Sequence, residues 1–348
     1  MKNKILAIAR FTLFFGIGIF FIWLFLRNLS SDQKSEILNS FGGANYWWIG
    51  LAILLGVFSH YMRALRWKML IEPMGYKPSN RNTFFAVMIG YLANLALPRL
   101  GEVSRCTVLT RYENVPFNKS FGTVITERVL DLMVFVFLFF LNLALQFSRL
   151  SAYINERIYK PLEAKLHLST HLSGSLSILI LGTGILFFVL FLVFRKRLAK
   201  NKLYQKVVGL LMGFLEGMKS LVKVKNMWLF IFYTVIIWTL YLFMAYFVYF
   251  SLPETAKLGL DAGLASLVFG TIGIMLVQGG IGIYPAIVAE TLVLYAVDPT
   301  KGYALGWLIW TSQTLTIILL GALSLILLPI FNKKFTDEQA GKNQVENI

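Results

Sequence analysis

The sequence predicts an all-α polytopic membrane protein, an inverted-repeat helix bundle of six to eight membrane segments that includes two re-entrant hairpins. Three observations predict it. Charged residues make up only 14% of the 348 and hydrophobic ones 57%, with mean hydropathy +0.68, against roughly 25% charged in a soluble domain. The apolar residues gather into runs of the ~20-residue length that a bilayer core requires. Each half of the chain also holds a pair of shorter runs interrupted by proline or glycine, the pattern of a discontinuous transporter helix.

The elements follow in order. Lys2 and Lys4 precede an apolar run at 5–27 that is too long for a signal peptide and has no small-residue cleavage site after it; it is expected to stay as the first span. The second span, 46–69, ends in Arg63, Arg66 and Lys68. The run at 83–97 is short and closed by Pro98, and 99–119 carries Arg99, Glu102, Arg105, Arg111, Glu113 and Lys119. Such a segment cannot face lipid as an ordinary span, so the pair is expected to enter and leave by one face, turning at Pro98–Gly101. A span at 122–147 and a polar loop at 148–173 complete the first half. The second half repeats the order: a span at 174–194, a basic segment at 195–226, a span at 227–250, a short pair at 262–277 and 283–297, and a last span at 303–330. The membrane domain is thus 1–335, with halves of about 1–147 and 174–330, followed by a polar tail at 336–348. Three full spans per half is an odd number, so the second half is inverted. If the second pair crosses fully, the termini keep their side but the halves match less well.

Net charge is +16. Basic loops orient membrane proteins, and this explains the charge better than nucleic-acid binding does; no nucleic-acid partner is expected. Segment 195–225 holds nine lysines and arginines against Glu216 and is assigned to the cytoplasm. That assignment also places both termini and the loop from Arg63 to Arg81 inside, and loops 28–45 and 251–261 outside. Loop 148–173 is mildly basic yet must be external. Within 203–222 apolar residues recur at helical spacing, giving an amphipathic helix that lies on the membrane surface or packs on the bundle.

Three constellations could carry chemistry. Around the first break stand Asn94, Pro98, Arg99, Gly101, Glu102 and Arg105. Proline frees backbone groups, which at membrane depth must line protein or water, and arginines give a phosphate paired donors; the plainer reading is an interfacial anchor. The second is Glu127, Arg128 and Asp131 at the head of a span. Glu127 and Asp131 share a helix face, for pairing with Arg99 or Arg105 or, less readily, for a proton relay. The third is Gln278, Gly279, Gly280 and Gly282, where backbone amides can approach a ligand or helices can pack closely. One cysteine, Cys106, excludes an intrachain disulfide and a paired-cysteine metal motif. His167 and His171 fall in a polar loop. No metal, no cofactor and no nucleotide-binding loop is expected.

Arg63-Ala64-Leu65-Arg66-Trp67, then Asn94 with Leu97-Pro98-Arg99-Leu100-Gly101-Glu102 and Arg105, then Glu127-Arg128 and Asp131 together resemble the transmembrane domain of the lysylphosphatidylglycerol synthase family, also called the flippase-like domain family. The resemblance covers roughly 5–330. It implies an inverted-repeat bundle with re-entrant helices that translocates lipid, and it adds Arg63 and Arg66 to the substrate-binding set. The chain has no room for the soluble synthase domain, so aminoacylation is not expected. It departs from the family at Gln278, where a proline often stands, and at Ile283-Tyr284-Pro285, where an acid often follows the glycine. The expected function is a flippase or scramblase for an anionic phospholipid or polyprenyl-linked lipid in the cytoplasmic membrane of a prokaryote, with homo-oligomerisation left open. The alternatives are a membrane-embedded transferase acting on a lipid headgroup and a non-transporting partner of an envelope-synthesis enzyme.

Overall fold

The computed structural model describes residues 16, 19–20, 22–27, 29–156, 160 and 224–333. Every regular element among them is helical. The expected span at 174–194, the amphipathic helix at 203–222, His167 and His171, the tail at 336–348 and most of the span at 5–27 lie outside the described residues.

Among the described residues, four helices are long and apolar enough to cross a membrane: Tyr46–Met74, Phe117–Leu145, Met227–Ser251 and Pro299–Phe331. The first of these contains α2 (Tyr46–Ile71), which follows α1 (Ser31–Gly42). Then come α3 (Asn80–Ala96), α4 (Leu100–Glu113), α5 (Phe117–Leu145) and α6 (Phe147–Ile154). After the undescribed segment stand α7 (Met227–Val248), α8 (Leu260–Leu276), α9 (Ile283–Val293) and α10 (Pro299–Phe331). At 1.5 Å per residue the 17-residue α3 and α8 are each ~25 Å long, short of the ~30 Å hydrocarbon core.

Three expectations are corrected. Residues 28–45 are not a simple loop: Ser30 and Gln33 form a capping box, and Ile37 buries one face of α1 against α10. The polar loop expected from 148 begins instead with α6. The second span does not end at 69 with its arginines in a loop. Helix α2 continues to Ile71, and Arg63 and Arg66 are buried within it, at 7% and 0% exposure.

Both expected breaks are present, and their backbones begin alike. Leu97 leaves α3 in an extended conformation and Arg99 turns left-handed at φ 66° before α4 begins. Val277 leaves α8 extended, and Gly279, Gly280 and Gly282 turn at φ 70–71° before α9 begins. A left-handed residue costs ~1–2 kcal/mol unless it is glycine, so the second break is relaxed where Arg99 is strained. Helix α4 folds back along α3, and α9 along α8. The first return is tight: a Cβ on Gly101 would fall 2.0 Å from the Gly90 carbonyl oxygen. Helix α2 packs along α7, α5 bears on α4 and α8, and α10 bears on α9 and α3. The two breaks touch: a Cβ on Gly279 would stand 3.8 Å from Leu95 Cδ2.

Candidate functional site

The site is assembled from two helix faces. On α2, His60, Arg63 and Arg66 recur at three-residue intervals and so share a face. Two arginines one turn apart repel, and burial away from water requires that they be paired. The partners come from α5, where Glu127 and Asp131 lie one turn apart. Arg63 Nε is 3.1 Å from Glu127 Oε1, and its Nη2 contacts Asp131 Oδ2. Arg66 Nη2 reaches Asp131 Oδ1 at 2.7 Å and Glu127 Oε1 at 3.4 Å. From α4, Arg105 Nη1 is 2.9 Å from Glu127 Oε2, and its guanidinium carbon lies 4.6 Å from the Trp67 ring centroid. The Trp67 indole N–H donates to Thr123 Oγ1 at 2.9 Å, fixing the ring. Arg66 Nη1 donates to Thr234 Oγ1 of α7 at 3.4 Å. Outside this knot, Arg128 Nη2 binds Glu102 Oε1 at 2.7 Å, with the arginine side chain 48% exposed.

With all seven groups ionised, four arginines (63, 66, 105, 128) face three carboxylates (102, 127, 131), an excess of one positive charge. The buried part alone, Arg63, Arg66 and Arg105 against Glu127 and Asp131, carries the same excess. Arg105 Nη2 is buried without a hydrogen-bond partner, so donor capacity remains.

One edge of the cluster opens into a central cavity of about 490 Å³, a volume typical of a small-molecule site. Its polar end is formed by His60, Arg63, Tyr91, Arg128, Asp131 and Tyr241. Tyr91 Oη accepts from Arg63, and its ring lies 4.9 Å from that of His60. Ser312, Gln313 and Thr316 of α10 line another stretch of wall, and most of the rest is apolar. Leu132, Ile274 and Met275 line it while being 41–60% exposed. The cavity therefore opens on the outer surface of the bundle between α5 and α8, at a mouth that is apolar apart from the half-exposed Arg128.

The structure distributes the expected residues unevenly. Arg63, Arg128 and Asp131 line the central cavity, with Arg66 and Glu127 buried behind them. Asn94, Gly101, Glu102 and Arg105 line a second, small cavity of about 10 Å³ with Arg63, Tyr91 and Arg128. Asn94 Oδ1 accepts from the Gly101 backbone N–H at 2.8 Å, closing the first hairpin. Arg99 stands apart: it is exposed beside Pro98 at the break, and among the described residues no carboxylate pairs with it. Glu127 and Asp131 are therefore partners of Arg105, Arg63 and Arg66, and not of Arg99. Gly279, Gly280 and Gly282 form the second break, as does the backbone of Gln278, and they do not line the central cavity; the flanking Ile274 and Tyr284 do. The Gly279 carbonyl accepts instead from Trp310 Nε1 at 2.6 Å. Sequence reasoning missed His60, Tyr91, Tyr241 and Gln313 as lining residues. The signal for His60 was its place one turn before Arg63; Gln313 was signalled by being a polar residue within an apolar span.

Comparison with known proteins is informative over the same region. A family model described as the lysylphosphatidylglycerol synthase TM region matches residues 7–331. A UPF0104 membrane protein of Methanocaldococcus jannaschii is 30% identical over 140 residues, 39% of this chain and 40% of that one. A second UPF0104 membrane protein of the same organism is 28% identical over 235 residues, 67% of this chain and 92% of that one. The glycosyltransferase AglD of Haloferax volcanii is 28% identical over 125 residues, 36% of this chain but 20% of the enzyme. The matches thus span less than half the length of two of these three relatives. No solved structure matches.

Proposed function

The chain belongs to the lysylphosphatidylglycerol synthase TM region family, and from that premise we propose that it is a lipid flippase or scramblase. Its substrate is an anionic phospholipid or polyprenyl-linked lipid, whose headgroup phosphate enters the central cavity. One observation carries the reading: a buried cluster with one excess positive charge forms the end of a mostly apolar cavity whose exposed mouth is apolar apart from Arg128. A phosphate supplies the missing negative charge. Arg63 and Arg128 are its donors, each charge-assisted hydrogen bond contributing about 1.5–3 kcal/mol. Arg66, Arg105 and Glu127 hold Arg63 in position from behind. A hydrocarbon chain leaves by the mouth between α5 and α8 into lipid.

The path across the membrane is an inverted repeat in which α2, α3, α4 and α5 correspond to α7, α8, α9 and α10. The shared helix order, the similar backbone at the two breaks and the matched packing of α5 and α10 on the two hairpins support this correspondence. In this reading α3–α4 and α8–α9 are re-entrant from opposite faces and meet at their tips, and both termini are cytoplasmic. Alkaline phosphatase fused after Lys225 is then inactive, and active when fused near Asn155.

The central test uses purified protein in liposomes containing phosphatidylglycerol with a fluorescent headgroup, and follows quenching from outside. Flipping without chemical change is expected, with Arg63→Gln and Arg128→Gln each slowing it. Equal rates in wild type, both variants and protein-free liposomes overturn the reading. The name of the Haloferax relative favours a second one, transfer of a sugar to a lipid headgroup. Mass spectrometry of lipids incubated with protein and nucleotide sugars decides between them.

A further inference from the structure

On the outer side of the bundle, α5 and α7 do not pack closely along their length, and a groove of about 560 Å³ runs between them. Helix α5 lines it with Leu130, Val134 and Phe137, and α7 with Phe230, Val235 and Leu242. Phe137 and Val235 are 65% and 58% exposed, so the groove is open to the bilayer. Its floor includes Thr234, the hydroxyl that accepts from Arg66.

Two residues, Trp238 and Leu267, line both this groove and the central cavity. The two spaces are therefore neighbours across one shared wall. Trp238 Nε1 is buried there without a hydrogen-bond partner, and its ring meets Tyr241 edge-on at 5.9 Å. An indole N–H left unpaired in an apolar wall is a cost unless something accepts from it. The groove is also long. Phe230 to Leu242 spans ~18 Å of helix axis, more than half of a ~30 Å hydrocarbon core.

We propose that the α5–α7 groove holds a hydrocarbon chain of the same lipid whose phosphate occupies the cavity. One lipid bridges both spaces over the Trp238–Leu267 wall, and the Trp238 side chain turns within that wall so that its indole N–H donates to an ester or ether oxygen where headgroup and chain part. The proposal rests on the transport reading above and adds the substrate's shape: a phosphate headgroup and a chain long enough to fill the groove.

The test uses phosphatidylglycerol with a photoactivatable diazirine in one acyl chain, in liposomes with the full-length protein. Crosslinks are expected to concentrate on groove residues such as Phe137 and Val235. An even spread over all exposed apolar helix faces overturns the proposal. Val235→Trp, which fills the groove from its exposed side, should lower flipping of the long-chain lipid by about tenfold, the loss of a few buried methylenes. The same variant should leave binding of dihexanoyl phosphatidylglycerol, whose chains are too short for the groove, unchanged. Trp238→Phe keeps an aromatic ring in the wall, smaller than the indole, and removes the donor; a fall of about threefold to tenfold is expected. Long-chain flipping at the wild-type rate in Val235→Trp, with Arg63→Gln still impaired, sinks the groove and leaves the transport reading standing. If no preparation flips any lipid, the transport reading fails, and the crosslink pattern alone decides the groove.

Discussion

The two helix breaks open with the same backbone turn, an extended residue and a left-handed one two positions on, but with different chemistry. The second uses glycine at each left-handed position and rests against neutral neighbours, with its carbonyl at Gly279 held by Trp310. The first places an arginine in the left-handed conformation and folds back within reach of the arginine–carboxylate cluster. Backbone geometry alone did not require that arginine, since glycine serves the same turn more cheaply. The difference separates a break whose job is to turn the chain from one whose side chains are also spent on charge. It also shows where the halves diverge: the buried ion pairs join α2, α4 and α5, while α8, α9 and α10 supply the cavity with apolar side chains, tyrosine, hydroxyls and an amide.

The contrast is open to breaking by substitution. The largest effect is expected from Glu127→Ala, which strips the shared partner from Arg63, Arg66 and Arg105. Breaking a buried pair costs about 3–5 kcal/mol, so the variant should lose most of its monodisperse peak in detergent. A shift in thermal midpoint no larger than that of a surface substitution would mean the cluster is an interfacial anchor. Next is Gly101→Ala. Its Cβ would meet the Gly90 oxygen at 2.0 Å and Asn94 Cγ at 2.6 Å, so the first hairpin must spread, at a cost of about 1–3 kcal/mol. Gly279→Ala meets only Leu95 Cδ2 at 3.8 Å and should cost about 1 kcal/mol for its positive φ alone. Measured side by side, the pair tests whether the first break is limited by packing and the second by conformation. Arg99→Gly gives the smallest and most telling shift: stability should rise by up to about 1 kcal/mol as strain is relieved. A concurrent fall in lipid flipping would show that the side chain is kept for substrate, and unchanged flipping would assign Arg99 no role in transport.

Local chemistry made the breaks legible. Proline at 98 and three glycines clustered within 278–282 are strong helix-breaking signals, and hydropathy located α5, α7 and α10 to within a few residues. The burial of Arg63 and Arg66 was not legible from their own surroundings. They sit near the end of an apolar run, where arginines ordinarily reach the interface, and their partners lie more than sixty residues further on, in α5. Only pairing across helices reveals that depth. The family resemblance supplied these two arginines where periodicity did not. The cavity was harder still, because its wall draws on α2, α3, α5, α7, α8, α9 and α10, and no single segment carries a mark of it.

The chain's single cysteine lies on α4 with its thiol fully buried, beside Arg105 and among the core side chains. Reagents that stay in water report little from it, so its labelling cannot tell one face of the membrane from the other. The same burial makes the native protein a ready background for site-directed chemistry. A cysteine placed at Phe137, Arg99 or Asn155 would be the one readily reactive thiol in the molecule, and a spin label or fluorophore attached there would track a single position with the natural sequence otherwise intact.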